Sequence, residues 1–325
     1  MTELGYALSS EEHMPNDLVR FAQRAEQAGF RFAMISDHYH PWISRMGNAP
    51  FVWSVIGGIS QVTSRLRLGT GVTCPIMRIH PAIIAQASAT AAAMLNGRFF
   101  LGLGSGEYLN EHILGEEWPP AEIRLEMLEE AIEIIRLLWK GEEESYLGDY
   151  FTVKDARLYS LPEQPPDIYV ASAGPDSASL AAEKGDGLIS VVPNQRIIQA
   201  FDQAGGASKP HYGQIKVCYA ESEQRAREIV WECWPVMKLS GLLHSDLPTP
   251  AHFEDVIDLL DQSDLSDQVV YGPDPQKHLD AIQKLLEAGY DYIYLHQIGP
   301  NQEDFFQFYE RQILPEFSTT SEPSS

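Results

Sequence analysis

The chain has 325 residues, of which 44% are hydrophobic and 10% aromatic. That is enough for one large α/β domain or two ordinary ones, and it excludes a disordered chain. Asp and Glu number 46 against 23 Lys and Arg, a formal charge of −23, which argues against a nucleic-acid binder and against docking on an anionic membrane. Three cysteines, Cys74, Cys218 and Cys233, have no zinc spacing and fit a reducing compartment. The N-terminus carries no basic and apolar leader pattern, and no uncharged apolar run approaches the ~20 residues of a membrane span. The expectation is a cytoplasmic protein, one domain over residues 1–317, with a small polar tail, 318–325, left disordered.

Short apolar runs alternate with amphipathic ones along the chain. Leu4–Leu8 reads as the first strand, and Asp17–Gly29 as a helix ended by glycine. Phe32–Ser36 is the second strand and Pro50–Thr63 the next helix. Arg67–Val72 and Arg98–Leu103 read as strands flanking the Ala-rich helix Pro81–Leu95. Ile123–Lys140 is strongly amphipathic. Residues 141–166 suggest a small hairpin around YLGDYFTV. Strands follow at Asp167–Ala171, Gly187–Val192, Gln214–Ala220 and Tyr292–His296, with helices at Ser177–Lys184, Ser222–Val236 and Pro275–Ala288. Residues 237–273 read as an irregular insertion. About eight β/α units in this length predict a (β/α)8 barrel, with both irregular stretches on its C-terminal face. An open doubly wound sheet is the competing architecture, and the absence of G-x-G-x-x-G after the first strand counts against it.

In such a barrel the chemistry lies just past the strand ends. After the second strand come Asp37, His38, His40 and Trp42: a carboxylate, an imidazole able to take a hydroxyl proton, and a flat apolar wall. Asp37 is a candidate to hold the imidazole or a cofactor edge. After the fourth come Gly104, Ser105, Gly106, Glu107, Asn110 and Glu111, where glycines let backbone approach a ligand and Glu107 is a candidate acid or base. Asn110 and Glu111 read equally well as solvated first-turn residues. After the fifth, Ala173, Gly174, Asp176 and Ser177 open a helix whose free N–H groups suit a phosphate or an ordinary cap. His80 and His296 are further pocket candidates. No metal-ligand pattern is present.

The segments SDHYHPW, GTGVTCP, IHPAIIAQASAT, FLGLGSGEYLNE, SAGP and KGDG, in this order, resemble the coenzyme F420-dependent glucose-6-phosphate dehydrogenases. Those enzymes belong to the luciferase-like flavin and deazaflavin oxidoreductases. The resemblance runs over roughly residues 4–317. It implies hydride transfer between a hydroxyl-bearing carbon and coenzyme F420, with His38 as base, Glu107 serving ring-nitrogen protonation, and Trp42 in support. Cofactor contacts carry over to Asp37, Cys74 (a Thr in well-known members), Ser105, Gly106, Asn110, Ala173, Gly174, Asp176 and Ser177. The resemblance also puts the family's non-proline cis peptide at Gly71-Val72, with both residues at the cofactor. The positions that hold the sugar phosphate in the family align with Val191, Asn194, His244 and Gln268. Three cations have thus become Asn, His and Gln, and a hydroxyl has become Val, which points to an alcohol or free sugar rather than a sugar phosphate. With so acidic a chain, the anionic cofactor must rely on backbone donors at 174–177 and on local cations such as Arg78. Glucose 6-phosphate oxidation, an FMN-dependent monooxygenase or reductase, and a non-catalytic flavin-binding barrel are the alternative readings. A small-molecule substrate and a homodimer through the helices near 50–63 and 81–95 complete the expectation.

Overall fold

The computed structural model describes residues 2–317 except Pro193, Ser240, 262–264 and 266–267. The expected disordered tail therefore lies outside the described residues. The chain runs β1 (Glu3–Leu8), α1 (Pro15–Ala28), β2 (Phe32–Ile35), α2 (Val52–Val62), β3 (Arg67–Thr70), α3 (Pro81–Met94) and β4 (Phe99–Leu103). It continues with α4 (Tyr108–Glu111), α5 (Ala121–Leu138), β5 (Glu144–Leu147), β6 (Thr152–Ala156), β7 (Ile168–Ala171), α6 (Pro175–Lys184) and β8 (Gly187–Ser190). It ends with α7 (Gln195–Phe201), β9 (His211–Cys218), α8 (Glu223–Cys233), α9 (Leu242–Ser245), α10 (Pro250–Ile257), β10 (Val269–Tyr271), α11 (Pro275–Glu287), β11 (Tyr292–Gln297), α12 (Gln302–Gln312) and α13 (Leu314–Phe317).

Strands β1, β2, β3, β4, β7, β8, β9 and β11 pair in parallel, in that order, and β11 closes back onto β1. This is a closed (β/α)8 barrel with its helices outside. Period-2 alternation divides each strand between two cores. Outward residues such as Leu4, Tyr6 and Leu8 pack beneath the helices, while Ala7, Phe32, Met34, Phe100, Tyr169, Ile189, Tyr212 and Tyr294 fill the lumen. Gly69 of β3 faces inward too: a Cβ there would stand 2.0 Å from the Phe100 ring, so only glycine admits that aromatic layer.

Three sequence expectations are corrected. Residues 141–166 do form the β5–β6 hairpin, yet it packs along the outside of α5 rather than on the C-terminal face. Glu130 of α5 accepts the N–H groups of Asp149, Tyr150 and Phe151, and Tyr146 reaches Glu133. The hairpin follows a helix rather than a strand, so it departs from the barrel's N-terminal side. Residues 237–273 are not irregular throughout: α9, α10 and β10 lie within them, β10 pairing with the upper part of β9. The third strand stops at Thr70, because the backbone turns at a cis peptide between Gly71 and Val72. Helices α7 and α12 add to the elements read from periodicity; α12 buries Phe305, Phe306 and Tyr309 against Tyr6 and Phe30.

Candidate active site

Inward parity carries Glu11, past β1, and His38, past β2, to one side of the barrel mouth. His38 Nε2 lies 3.3 Å from Glu11 Oε1 and 3.7 Å from Glu107 Oε2. Its Nδ1 is 3.2 Å from the His40 carbonyl and 3.2 Å from Asn110 Nδ2. With Nδ1–H donated to that carbonyl, Nε2 presents a lone pair between two carboxylates. A proton taken there creates an imidazolium already flanked by negative charge.

The two carboxylates differ. Glu11 is sealed, its side chain 3% exposed against 29% for Glu107. Glu11 also accepts a 2.5 Å hydrogen bond from Ser36 Oγ. Burial pushes its pKa up, but the facing His38 and the Ser36 hydroxyl outweigh it and hold the carboxyl below its ordinary value. Glu11 can therefore orient and charge-stabilise the imidazole, whereas Glu107 also opens to a ligand. Sequence reasoning missed Glu11. Its signal was weak: a Glu three residues past a strand end, inside the polar run SSEEH.

Asn110 ties the two loops together. Its Oδ1 accepts from the backbone N–H of Tyr39 at 2.9 Å and His40 at 3.2 Å, and its Nδ2 also reaches Glu107 Oε2. Buried Asn110 and Glu111 are thus structural members of the site and not solvated turn residues. Trp42 forms a wall: its ring lies 5.0 Å from His38, 4.3 Å from His244 of α9 and 5.3 Å from Phe253 of α10. The insertion does line the mouth, as its position after β9 predicts.

Of the two tasks expected for Asp37, the hydrogen bonds exclude the first. Asp37 does not hold His38; Thr73 Oγ1 donates to one of its oxygens at 2.7 Å and Arg78 Nη2 to the other at 2.8 Å. Arg78 N also donates to Glu111 Oε2 at 2.7 Å, and its side chain is only 7% exposed. Burial lowers the Arg78 pKa, but Asp37 and then Glu111 outweigh it and raise it overall. The guanidinium is consumed inside this network, so Arg78 is not a free local cation for an anionic ligand. His80 caps α3 by accepting from Ala82 N, and His296 pairs with Glu12 at 2.8 Å. Neither works beside His38.

Beside this network, the ends of β3 and β4 carry small residues. Gly71, Val72, Ser105 and Gly106 lie at the ends of β3 and β4. Gly106 has φ +79°, and a Cβ there would lie 2.5 Å from Cys74 Sγ. Cys74 is thus packed under the glycine turn, its thiol pKa pushed up by burial and then by Glu111. At α6, Ser177 Oγ accepts from the N–H groups of Ala173 and Gly174, both at 3.3 Å, while Asp176 is exposed. Pro175 has no N–H, so Asp176 and Ser177 supply the unspent helical donors.

The four substrate candidates divide. Val191 is 41% exposed past β8. Asn194 caps α7, accepting from Arg196 N at 2.8 Å. His244 lines the cavity, and Gln268 sits exposed at the turn into β10. Among the described residues no cluster of three metal-ligating side chains exists, and no helix is long and apolar enough to cross a membrane.

Comparison with known proteins agrees with this geometry. The family model for luciferase-like monooxygenases matches residues 1–292. An F420-dependent glucose-6-phosphate dehydrogenase of Microbacterium testaceum is 34% identical over 323 residues, 96% of each chain. An F420-dependent hydroxymycolic acid dehydrogenase of Mycobacterium tuberculosis is 36% identical over 320 residues, covering 96% of this chain and 88% of its own. A solved F420-dependent secondary alcohol dehydrogenase, holding an F420-acetone adduct, superposes with a TM-score of 0.90 at 28% identity, over 96% of this chain and 98% of that one. A barrel mouth with a carboxylate-flanked histidine, together with these matches over nearly the whole chain, makes this protein a member of the luciferase-like family.

Proposed function

We propose that the protein is an F420-dependent oxidoreductase that moves a hydride between a hydroxyl-bearing carbon of an alcohol or unphosphorylated sugar and the deazaflavin. The observation that carries this reading is His38 Nε2 held between Glu11 and Glu107 at the barrel mouth. When bound, the deazaflavin supplies the hydride acceptor. A hydride leaves a carbinol only as its hydroxyl proton leaves, so a base must touch that oxygen. His38 takes the proton at Nε2, Glu11 and Glu107 stabilise the imidazolium, and Trp42 bounds the substrate side. Glu107, the more open carboxylate, also serves protonation at the ring nitrogen. Similar proteins named as F420-dependent dehydrogenases support the hydride transfer, and those named for a hydroxymycolic acid and a secondary alcohol support an unphosphorylated substrate.

The residues fit a planar cofactor. The glycines at 104 and 106 let the turn after β4 lie close on its neighbours, since a Cβ there would stand 2.7 Å from Val72 and 2.5 Å from Cys74 Sγ, and they leave the backbone of the turn bare of side chains. The holding residues would be Gly71, Val72, Ser105, Gly106 and Asn110 around the ring, with Ala173, Gly174, Asp176 and Ser177 toward the phosphate. Asp37 and Cys74 support these loops from beneath. Single-turnover reduction of F420 by a panel of alcohols and sugars tests the reading. Absence of F420 binding, or reduction of F420 by glucose 6-phosphate as fast as by any neutral alcohol or sugar, rejects it.

The oligomer follows from a surface. An apolar groove of about 290 Å³ between α2 and α3 is lined by Phe51, Trp53, Ile56, Ile83 and Met94, with Phe51 and Ile83 more than half exposed. A second copy covers it in a homodimer. Ile83→Glu should convert a dimer to a monomer by sedimentation; a wild-type monomer rejects the proposal. Three free cysteines suit the reducing cytoplasm.

A further inference from the structure

The lumen side of β9 carries a cation that the catalytic scheme does not use. Tyr212 fills the barrel interior, and period-2 alternation places Gln214 and Lys216 above it, facing the mouth. Lys216 stands opposite His296 of β11 and Val269 of β10. Its ammonium donates to Gln214 Oε1 at 3.1 Å. No carboxylate pairs with it among the described residues. His296 faces it but is spent on Glu12, whose second oxygen accepts from Gly299 N. His244 lies 4.3 Å from Trp42; burial lowers its pKa, Glu107 raises it, and Lys216 and His38 lower it further. With its lumen-facing position on β9, Lys216 thus lies at the same end of the barrel as His38 and Glu107.

An ammonium enclosed without a counter-ion is costly, and this chain has an excess of carboxylates that could have paired it. Lys216 is half-buried, and its place on the lumen face of β9 puts it on the mouth side of Tyr212. We infer that Lys216, with Gln214 beside it, is the subsite for a single carboxylate on the substrate, so that the enzyme acts on a hydroxy acid or its keto acid. This rests on the hydride-transfer reading above and narrows its substrate class. One ammonium and one side-chain amide match a planar monoanion. A phosphate dianion would ask for further cations, and the positions that align with the family's cations hold Asn194, His244 and Gln268. Burial holds the Lys216 pKa down at about 8, so the anchor is charged at neutral pH and fades as pH rises through that value.

The test compares β-hydroxybutyrate with its methyl ester, which replaces the carboxylate charge by one methyl group, in wild type and Lys216→Met. Wild type should prefer the acid in kcat/KM by about tenfold or more, the worth of one charge-assisted hydrogen bond. Lys216→Met should erase that preference mainly through KM, leave the ester within about twofold, and Lys216→Arg should restore part of it. In wild type, KM for the acid should climb above pH 8 while that for the ester stays flat. A preference for the ester, or an equal fall for both substrates in Lys216→Met, overturns the proposal. Calorimetric binding of β-hydroxybutyrate to cofactor-free protein separates the two readings. Lysine-dependent binding without any F420 reduction keeps the carboxylate subsite and rejects the hydride-transfer function.

Discussion

The two sides of the barrel mouth are built on different plans. Over β1 to β4, most polar side chains are committed to one another: Glu11 to His38 and Ser36, Asn110 to the two loops after β2 and β4, Asp37 to Thr73 and Arg78. Over β8, β9 and β10, the side chains are looser: Val191 and Gln268 are exposed, Asn194 merely caps a helix, and Lys216 has one neutral partner. A cross-braced half keeps reacting atoms in register without reorganisation, which is where rate comes from. A sparsely braced half can change its residues without disturbing that register. The contrast explains how a family can keep one chemistry while its members are named for different substrates.

Four substitutions challenge this division, the largest expected effect first. His38→Asn should lower the hydride-transfer rate by about a hundred- to ten-thousandfold, the usual worth of a positioned general base. F420 binding by fluorescence should persist; retained turnover would move catalysis out of the braced half. Gly106→Ala forces a side chain onto a φ of +79° and against Cys74. It should cost about 1–3 kcal/mol of stability in denaturant unfolding, and Cys74→Ala in the same chain should recover part of that.

Glu11→Gln removes a sealed carboxylate from His38 and should reduce kcat about tenfold with KM little changed, while the acid limb of the pH–rate profile moves to lower pH. The sign for stability follows from its lowered pKa. The carboxylate's contribution is present above the ordinary carboxylate range and is lost as pH falls through the lowered folded value. The Tm gap between wild type and Glu11→Gln should therefore narrow on acidification; a widening gap would contradict the pairing. The smallest effect is expected in the loose half. Asn194→Lys should raise the kcat/KM ratio of glucose 6-phosphate to glucose by less than about tenfold, since a partly exposed pair is worth 1 kcal/mol or less. A much larger gain would mean that this half is as preorganised as the other.

Much of this architecture was legible before folding. Local patterns announce strands and helices because burial periodicity is a property of neighbouring residues. Hence Phe32–Ile35, Phe99–Leu103 and Ile168–Ala171 fall where alternation and apolar runs placed them, and His38, Trp42 and Glu107 stand out as chemical residue types at strand ends. The failures have a common cause. Glu11, Arg78 and Lys216 owe their roles to partners distant in sequence: Glu11 to His38, 27 residues on; Arg78 to Asp37, 41 residues back; Lys216 to the mouth it shares with His296 of the neighbouring strand, 80 residues on.

By itself, then, the sequence determined the alternation of barrel strands with helices, the barrel and the residue types available for proton and hydride chemistry. These follow from hydrophobic periodicity and from short motifs, which act over a few residues. Only the tertiary structure decided which carboxylate meets which imidazole, that Asp37 and Arg78 neutralise each other, and that Lys216 is left without a counter-ion. Those outcomes depend on distances across the mouth and on desolvation, and barrel closure creates both by bringing β11 back beside β1.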